Sequence, residues 1–240
     1  MSSDLDAHLA AYAGGSQYDF DNEILLTWYP RRIIALASLA TSMLELGLGH
    51  GFTAPIFAPY FRRHVVVEGS SAVIQNFRRK YPDVRTEIVR DLFERFETSE
   101  RFDAIVMGFV LEHVEDPVAL IKRYKRYLAP GGKLFIAVPN AQSLNRRLGF
   151  VAGLLDDLHQ LSANDLALGH RRYYTLASLT AEAAKAGCRV ERAEGIYLKP
   201  FTTQQIMALS LDKRVIEAMC QVGVDYPELS CGLLVQLTIV

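Results

Sequence analysis

Glu45 opens the run Glu45-Leu46-Gly47-Leu48-Gly49-His50-Gly51, in which glycines recur at every second position. Glycines let a backbone turn sharply and approach a ligand without Cβ clashes. Such a loop between a strand and a helix cradles phosphates or nucleosides in open α/β sheets. The spacing here is G-x-G-x-G. Where the dinucleotide fingerprint wants its third glycine stands Phe52, whose ring would crowd a pyrophosphate. The loop therefore suits a nucleoside without a diphosphate, and the acid just before the turn suits a cationic one.

Other residues stand where such a ligand would need them. Glu68 closes the run Val65-Val66-Val67 and is followed by Gly69 and Ser70, where the chain turns. An acid there accepts from both hydroxyls of a ribose; the alternative is an exposed acid at a strand end. In Asp91-Leu92-Phe93 the carboxylate can accept from an adenine amino group while the Leu92 N–H serves a ring nitrogen. The alternative for Asp91 is a helix N-cap. Gly108 and Phe109 end another apolar run and are expected to touch the ligand, with Glu112 and His113 at the mouth of its crevice. Histidine titrates near neutral pH and is the usual general base, so His113 is either that base or a turn-capping residue. His170 is a second candidate base, in His170-Arg171-Arg172-Tyr173-Tyr174. With Asn140, Arg147, Arg171 and Tyr174 it is expected to hold an anionic or polar substrate group. The arginines could equally pair with Asp156, Asp157 or Asp165. Tyr12, Tyr18, Trp28 and their aromatic neighbours suit a lid closing on a flat or hydroxylated substrate, and Tyr18 can also face a cation; the alternative for Trp28 and Tyr18 is packing against the sheet. The six histidines show no H-x-x-x-H spacing, so no metal site is expected.

These residues need a scaffold, and the hydrophobic pattern supplies one. Short apolar runs at 42–46, 64–68, 86–89, 102–107 and 133–138 read as strands. They alternate with helical segments at about 52–61, from a Ser71 cap to about 80, and from Asp116-Pro117 to the Pro130-Gly131-Gly132 turn. Alternation of this kind predicts a parallel, doubly wound sheet. Two last strands, 188–192 and 232–240, are expected to add an antiparallel C-terminal edge, giving seven strands. Residues 1–40 read as an N-terminal helical lid with a possible break at Pro30, and 140–174 as a helical substrate-binding insert in a single domain spanning 41–240. The chain has 240 residues, half of them hydrophobic, and a net charge of −1. That composition argues against a broad nucleic-acid footprint. Three cysteines without C-x-x-C spacing read as reduced thiols, and no apolar run approaches a membrane span. A cytoplasmic protein that is a monomer or homodimer, with no nucleic-acid or membrane partner, is expected.

Glu45-Leu-Gly-Leu-Gly-His-Gly, Glu68, Asp91-Leu92, Phe102-Asp-Ala-Ile-Val, Leu111-Glu-His-Val-Glu-Asp-Pro and Leu128-Ala-Pro-Gly-Gly-Lys-Leu stand in the order found in class I S-adenosylmethionine-dependent methyltransferases. The chain resembles that family over residues 41 to about 140. The 111–117 run, Val138-Pro-Asn140 and Gly169-His170 resemble a subgroup acting on quinone precursors, amino sugars and other small natural-product intermediates. The resemblance implies a Rossmann-like fold and S-adenosylmethionine as cofactor, leaving as S-adenosylhomocysteine. It implies Glu45, Gly47, Leu48, Gly49 and Gly51 at the methionine moiety, Glu68, Gly69 and Ser70 at the ribose, and Asp91, Leu92 and Phe93 at the adenine. It also implies a substrate-facing His113. The expected activity is methylation of a nitrogen or oxygen of a small metabolite. The competing readings are a nicotinamide-dependent oxidoreductase, against which Phe52 and Glu45 argue, and a cofactor-binding module without catalysis.

Overall fold

A computed structural model describes residues 19–240. Helix α1 (Asp19–Leu36) leads into β1 (Ser42–Leu46), α2 (Thr53–Phe57), β2 (Arg63–Glu68), α3 (Ser71–Lys80), β3 (Glu87–Arg90) and β4 (Phe102–Gly108). Then come α4 (Pro117–Tyr124), a 3-10 turn (Lys125–Tyr127), β5 (Leu128–Pro139), α5 (Leu144–Val151), α6 (Ala163–Ala167) and α7 (Leu176–Lys185). Strand β6 (Cys188–Ile196), α8 (Thr203–Ala208), α9 (Lys213–Gly223) and β7 (Gly232–Ile239) complete the order.

The seven strands form one sheet in the order β3-β2-β1-β4-β5-β7-β6. The first five pair in parallel, and β7 runs antiparallel to both β5 and β6. The antiparallel C-terminal part therefore has a specific form: β7, later in sequence than β6, lies between β6 and β5. Strand order reverses where β1 passes from β2 to β4, the switch point at which open α/β sheets bind ligands.

Both faces of the sheet are covered, which is why its strands are nearly continuous apolar runs. Successive residues point to opposite faces. Leu44, Leu46, Ile105 and Met107 join the core under α4 and α7, whereas Met43, Ala104, Val106 and Phe135 join the core under α1. Pro30 does not break α1; the helix runs on through it, with Tyr29, Pro30 and Ile33 buried against the sheet. Arg32 ties α1 to β6 through two bonds to the buried Glu194, at 2.8 and 2.9 Å.

Local chemistry fixed several boundaries differently from the sequence pattern. Helix α2 ends at Phe57, and α4 ends at Tyr124. Ser70, not Ser71, caps α3 by accepting the Val73 N–H. The Pro130-Gly131-Gly132 turn is a bulge inside β5: the pairing with β4 jumps from Phe102↔Leu128 to Ala104↔Lys133. The 140–174 insert is tied down at both ends. Asn140 and Tyr174 form a bridge, and the Ala141 N–H bonds the Tyr174 carbonyl at 2.7 Å. Tyr12 and Tyr18 lie outside the described residues. Among the described residues, no helix is long and apolar enough to cross a membrane.

Candidate active site

The carboxyl ends of β1 to β4 open into a cavity of about 900 Å3, within the usual range for small-molecule sites. One end is backbone. Gly47 and Gly49 take φ values of +83° and +48°, which L side chains rarely adopt, and a Cβ on Gly49 would meet nothing within 4 Å. The loop is thus an open cradle. Glu68 braces it, accepting from the Leu48 N–H at 3.0 Å and the Ser70 N–H at 2.8 Å. Burial pushes the Glu68 carboxyl up, and the backbone N–H groups of Leu48, Ser70 and Gly69 pull against that rise. A carboxylate offers about four lone-pair sites, so capacity for hydroxyl donors remains. Asp91, Leu92 and Phe93 line the same end. No helix follows Asp91, so it is not an N-cap; its carboxylate accepts the Leu92 N–H at 2.8 Å, engaging the group expected to serve a ring nitrogen.

Gly108 and Phe109 form the middle wall. A Cβ on Gly108 would fall 2.0 Å from the Tyr29 hydroxyl, so the glycine is what admits the tyrosine from α1. Phe109 itself holds a φ of +55°.

The other end is rich in side chains. Glu112 is fully buried, lines the cavity, and has no hydrogen-bond partner at either carboxylate oxygen. Burial pushes its carboxyl up to about 7, against the pull of His170. The His113 and His170 rings meet edge to face at 4.7 Å. His170 Nδ1 lies 3.2 Å from Asp165 Oδ1. Burial alone would lower His170, but Asp165 and Glu112 outweigh it and the imidazole is raised. Burial acts on Asp165 in the opposite sense, yet His170 and Ser162 hold its carboxyl down to about 2. The Arg146 guanidinium stacks 4.1 Å from the centre of the Tyr173 ring, and the Tyr173 hydroxyl donates to Asp165 at 3.0 Å. Across the mouth, the buried Lys199 pairs with Asp21 of α1 at 2.5 Å, and Thr203 donates to the same carboxylate.

Residues 23–193 match the family model described as a methyltransferase domain. The chain belongs to that family. Among curated relatives, a probable S-adenosylmethionine-dependent methyltransferase of Mycolicibacterium smegmatis is 26% identical over 176 residues, covering 71% of this chain and 62% of the relative. A ubiquinone biosynthesis O-methyltransferase of Xanthomonas oryzae is 30% identical over 166 residues, covering 68% and 63%. The chain thus spans somewhat under two thirds of the length of these relatives. Among solved structures, the N-methyltransferase NodS of Bradyrhizobium japonicum, in complex with S-adenosylhomocysteine, covers 98% of both chains with a TM-score of 0.61 and 15% identity. At that identity the likeness concerns the fold.

Several residues that the sequence suggested for this methyltransferase domain's site lie elsewhere. Glu45 does not line the cavity. It is buried beneath the loop, where its carboxylate accepts from Thr53 and lies 3.0 Å from His64 Nε2. Gly51 makes room for protein, since a Cβ there would press on Phe77 and Tyr81 at 3.2 and 3.3 Å. Trp28 packs against the core beneath α1 and is not on the cavity wall. Arg147 turns to the Gln142 carbonyl. Tyr174 is buried, donating to the Leu111 carbonyl and to Glu182. Asn140 borders the cavity, but its amide is spent on the carbonyls of Pro227, Glu228 and Ser230. Arg171 lines the cavity and pairs with Glu115 at 3.2 Å, not with an insert aspartate. The wall residues not singled out for the site include Tyr29, Arg146, Asp165, Tyr173, Lys199 and Thr203. The first four belong to aromatic, basic or acidic clusters visible in the sequence; Lys199 and Thr203 carry no local signal.

Proposed function

We propose that this chain moves a methyl group from S-adenosylmethionine to an oxygen or nitrogen of a small molecule. The observation that carries this reading is one continuous cavity with a glycine cradle, Glu68 and Asp91 at one end and paired histidines at the other. The residues fit the cofactor: the open approach at Gly49 admits a ligand without a diphosphate, and Glu68 has acceptor capacity for ribose hydroxyls. When bound, the cofactor supplies an electrophilic methyl on a positively charged sulfur.

The chain's own task is alignment, worth up to roughly 7–11 kcal/mol in favourable cases. Gly108 and Phe109 stand between the two ends and set the line of approach. Tyr29 and the first turns of α1 form the wall that excludes water. Asn22 of that helix reaches His50 of the glycine loop at 3.4 Å, tying wall to cradle. A hydroxyl nucleophile must lose its proton, and His113 faces the cavity where it can take it. Arg146 and Lys199 offer positive charge to a polar acceptor. The reading of a small-molecule acceptor rests on this cavity, and the near-zero net charge argues against a broad nucleic-acid footprint.

The test is calorimetric titration with S-adenosylhomocysteine and, separately, NADH, followed by methyl transfer from labelled S-adenosylmethionine to panels of catechols and amino sugars. Micromolar binding of S-adenosylhomocysteine alone is expected. Binding of NADH in its place would overturn the reading.

A further inference from the structure

We propose that Glu112, His113 and His170 form a binding site for a divalent transition-metal ion, positioned to hold the acceptor through two adjacent oxygens. One ligand atom from each of the three lies within 4.8 Å of the others. Glu112 and His113 come from the turn after β4. His170 comes from the end of the insert, held beside that turn by the Arg171 N–H, which bonds the Glu112 carbonyl at 2.8 Å. No local H-x-x-x-H spacing announces the group, because the fold assembles it from two distant segments.

The independent sign of a ligand is Glu112. Its carboxylate is fully buried, borders the cavity, and has neither oxygen hydrogen-bonded to another residue. A buried anion without a partner is costly. The nearby arginines do not bond it: Arg171 pairs with the Glu115 carboxylate, and Arg172 donates to the Glu115 carbonyl. His170 has the environment of a metal ligand. Its Nδ1 faces Asp165 at 3.2 Å, leaving Nε2 as its other ring nitrogen. A carboxylate behind a ligating imidazole is the usual outer shell of a metal site. Metal–nitrogen and metal–oxygen bonds near 2.1 Å put ligand atoms about 3 Å apart, so small side-chain rotations would close the set. Two imidazoles and one carboxylate on one side of an ion suit Fe(II), Mn(II), Co(II) or Zn(II) and leave positions open. All three residues line the cavity, where vicinal oxygens of a catechol or α-hydroxy acid could take up open positions on the ion. An oxygen held by the ion would shed its proton more readily, to solvent water, so an ion here would take over from His113 the activation of the acceptor. This role of the ion rests on the methyltransferase reading; its binding does not.

The experiment uses the full chain without an affinity tag, stripped with EDTA and dialysed. Co(II) chloride is titrated while visible d–d absorption is followed, and the same preparation is titrated with S-adenosylhomocysteine. One equivalent of Co(II) with d–d bands is expected. Glu112→Gln and His170→Ala should each weaken Co(II) binding at least tenfold, and Asp165→Asn about 10–100-fold. Thermal unfolding checks that each variant is folded, and His113→Gln serves as a further variant if one of these is not. Absence of stoichiometric Co(II) binding, or binding unaffected by Glu112→Gln and His170→Ala, would overturn the proposal. Co(II) binding without S-adenosylhomocysteine binding would sink the methyltransferase reading alone, and the reverse result would sink the metal site alone.

Discussion

Gly108→Ala should destabilise the protein through a single contact. The new Cβ would fall 2.0 Å from the Tyr29 hydroxyl and 2.7 Å from Cζ, whereas real Cβ atoms do not approach within 3.0 Å. The phenol must therefore retreat by about 1 Å. Tyr29 is 2% exposed and its ring is packed against Phe109 with centroids 5.8 Å apart, so the retreat must repack the cavity wall. Overpacking of this kind costs about 1–3 kcal/mol. For a chain of this size each kcal/mol lowers Tm by about 2–4 °C, so the loss should be about 2–12 °C by calorimetry or circular dichroism. Tyr29→Phe removes the worst contact and leaves those to Cζ and Cε2 at 2.7 and 3.2 Å. In that background Gly108→Ala should cost less than half as much, measured by a double-mutant cycle. Additive effects, or a Gly108→Ala variant as stable as the parent, would refute the view that this glycine exists to admit Tyr29.

Glu68→Gln keeps one acceptor oxygen but turns an amide towards a backbone N–H. It should weaken S-adenosylhomocysteine about 10–100-fold by calorimetry, and unchanged affinity would remove Glu68 from the nucleoside site. His64→Leu strips the buried Glu45 of its hydrogen-bond neighbour at 3.0 Å and should cost about 1–3 kcal/mol of stability; because both residues lie off the cavity wall, cofactor affinity below the unfolding range should change little. Arg32→Ala should lower Tm by releasing α1 from Glu194. Burial pushes the Glu194 carboxyl up, but Arg32 and Arg192 outweigh it and hold it below its ordinary value. A depressed carboxylate stabilises the fold above its unfolded value of about 4.3 and loses that contribution as pH falls through the folded one. The Tm gap between parent and Arg32→Ala should therefore be full near neutral pH and close in acid; a gap independent of pH would contradict the pairing.

The cofactor end of the cavity was legible because its parts are local. A glycine loop, a strand-end acid and a turn each write themselves into a few consecutive residues, and parallel alternation brings those strand ends to one edge of the sheet. The substrate end shows where this stops. In three adjacent pairs the sequence suggested one neighbour and the fold put the other on the cavity: Tyr29 rather than Trp28, Arg146 rather than Arg147, Tyr173 rather than Tyr174. One residue along a helix turns the side chain by about 100°, and one residue along an extended segment sends it to the opposite side. Clusters of like residues reveal that a site is near, but the facing member depends on how the segment docks. Glu45 failed for a related reason. Its place before the glycines suggested a ligand, yet on β1 its side chain points to the interior, where Thr53 and His64 take it up. The meeting of Glu112 with His170 depends on the insert folding back to the β4 turn, which no local spacing records.

The late position of β7 bears on how the chain is made. During synthesis β1 to β5 emerge first, with Phe135, Ile136, Ala137 and Val138 forming a strand whose outer edge has no neighbour until β7 arrives. At about 5–20 residues per second, the roughly hundred residues between the ends of β5 and β7 take about 5–20 s to translate. For that interval the nascent sheet carries an apolar, unpaired border of the kind that captures other chains. The ribosome-bound chain thus offers a defined window for holdase chaperones, and slow codons between β6 and β7 would lengthen it.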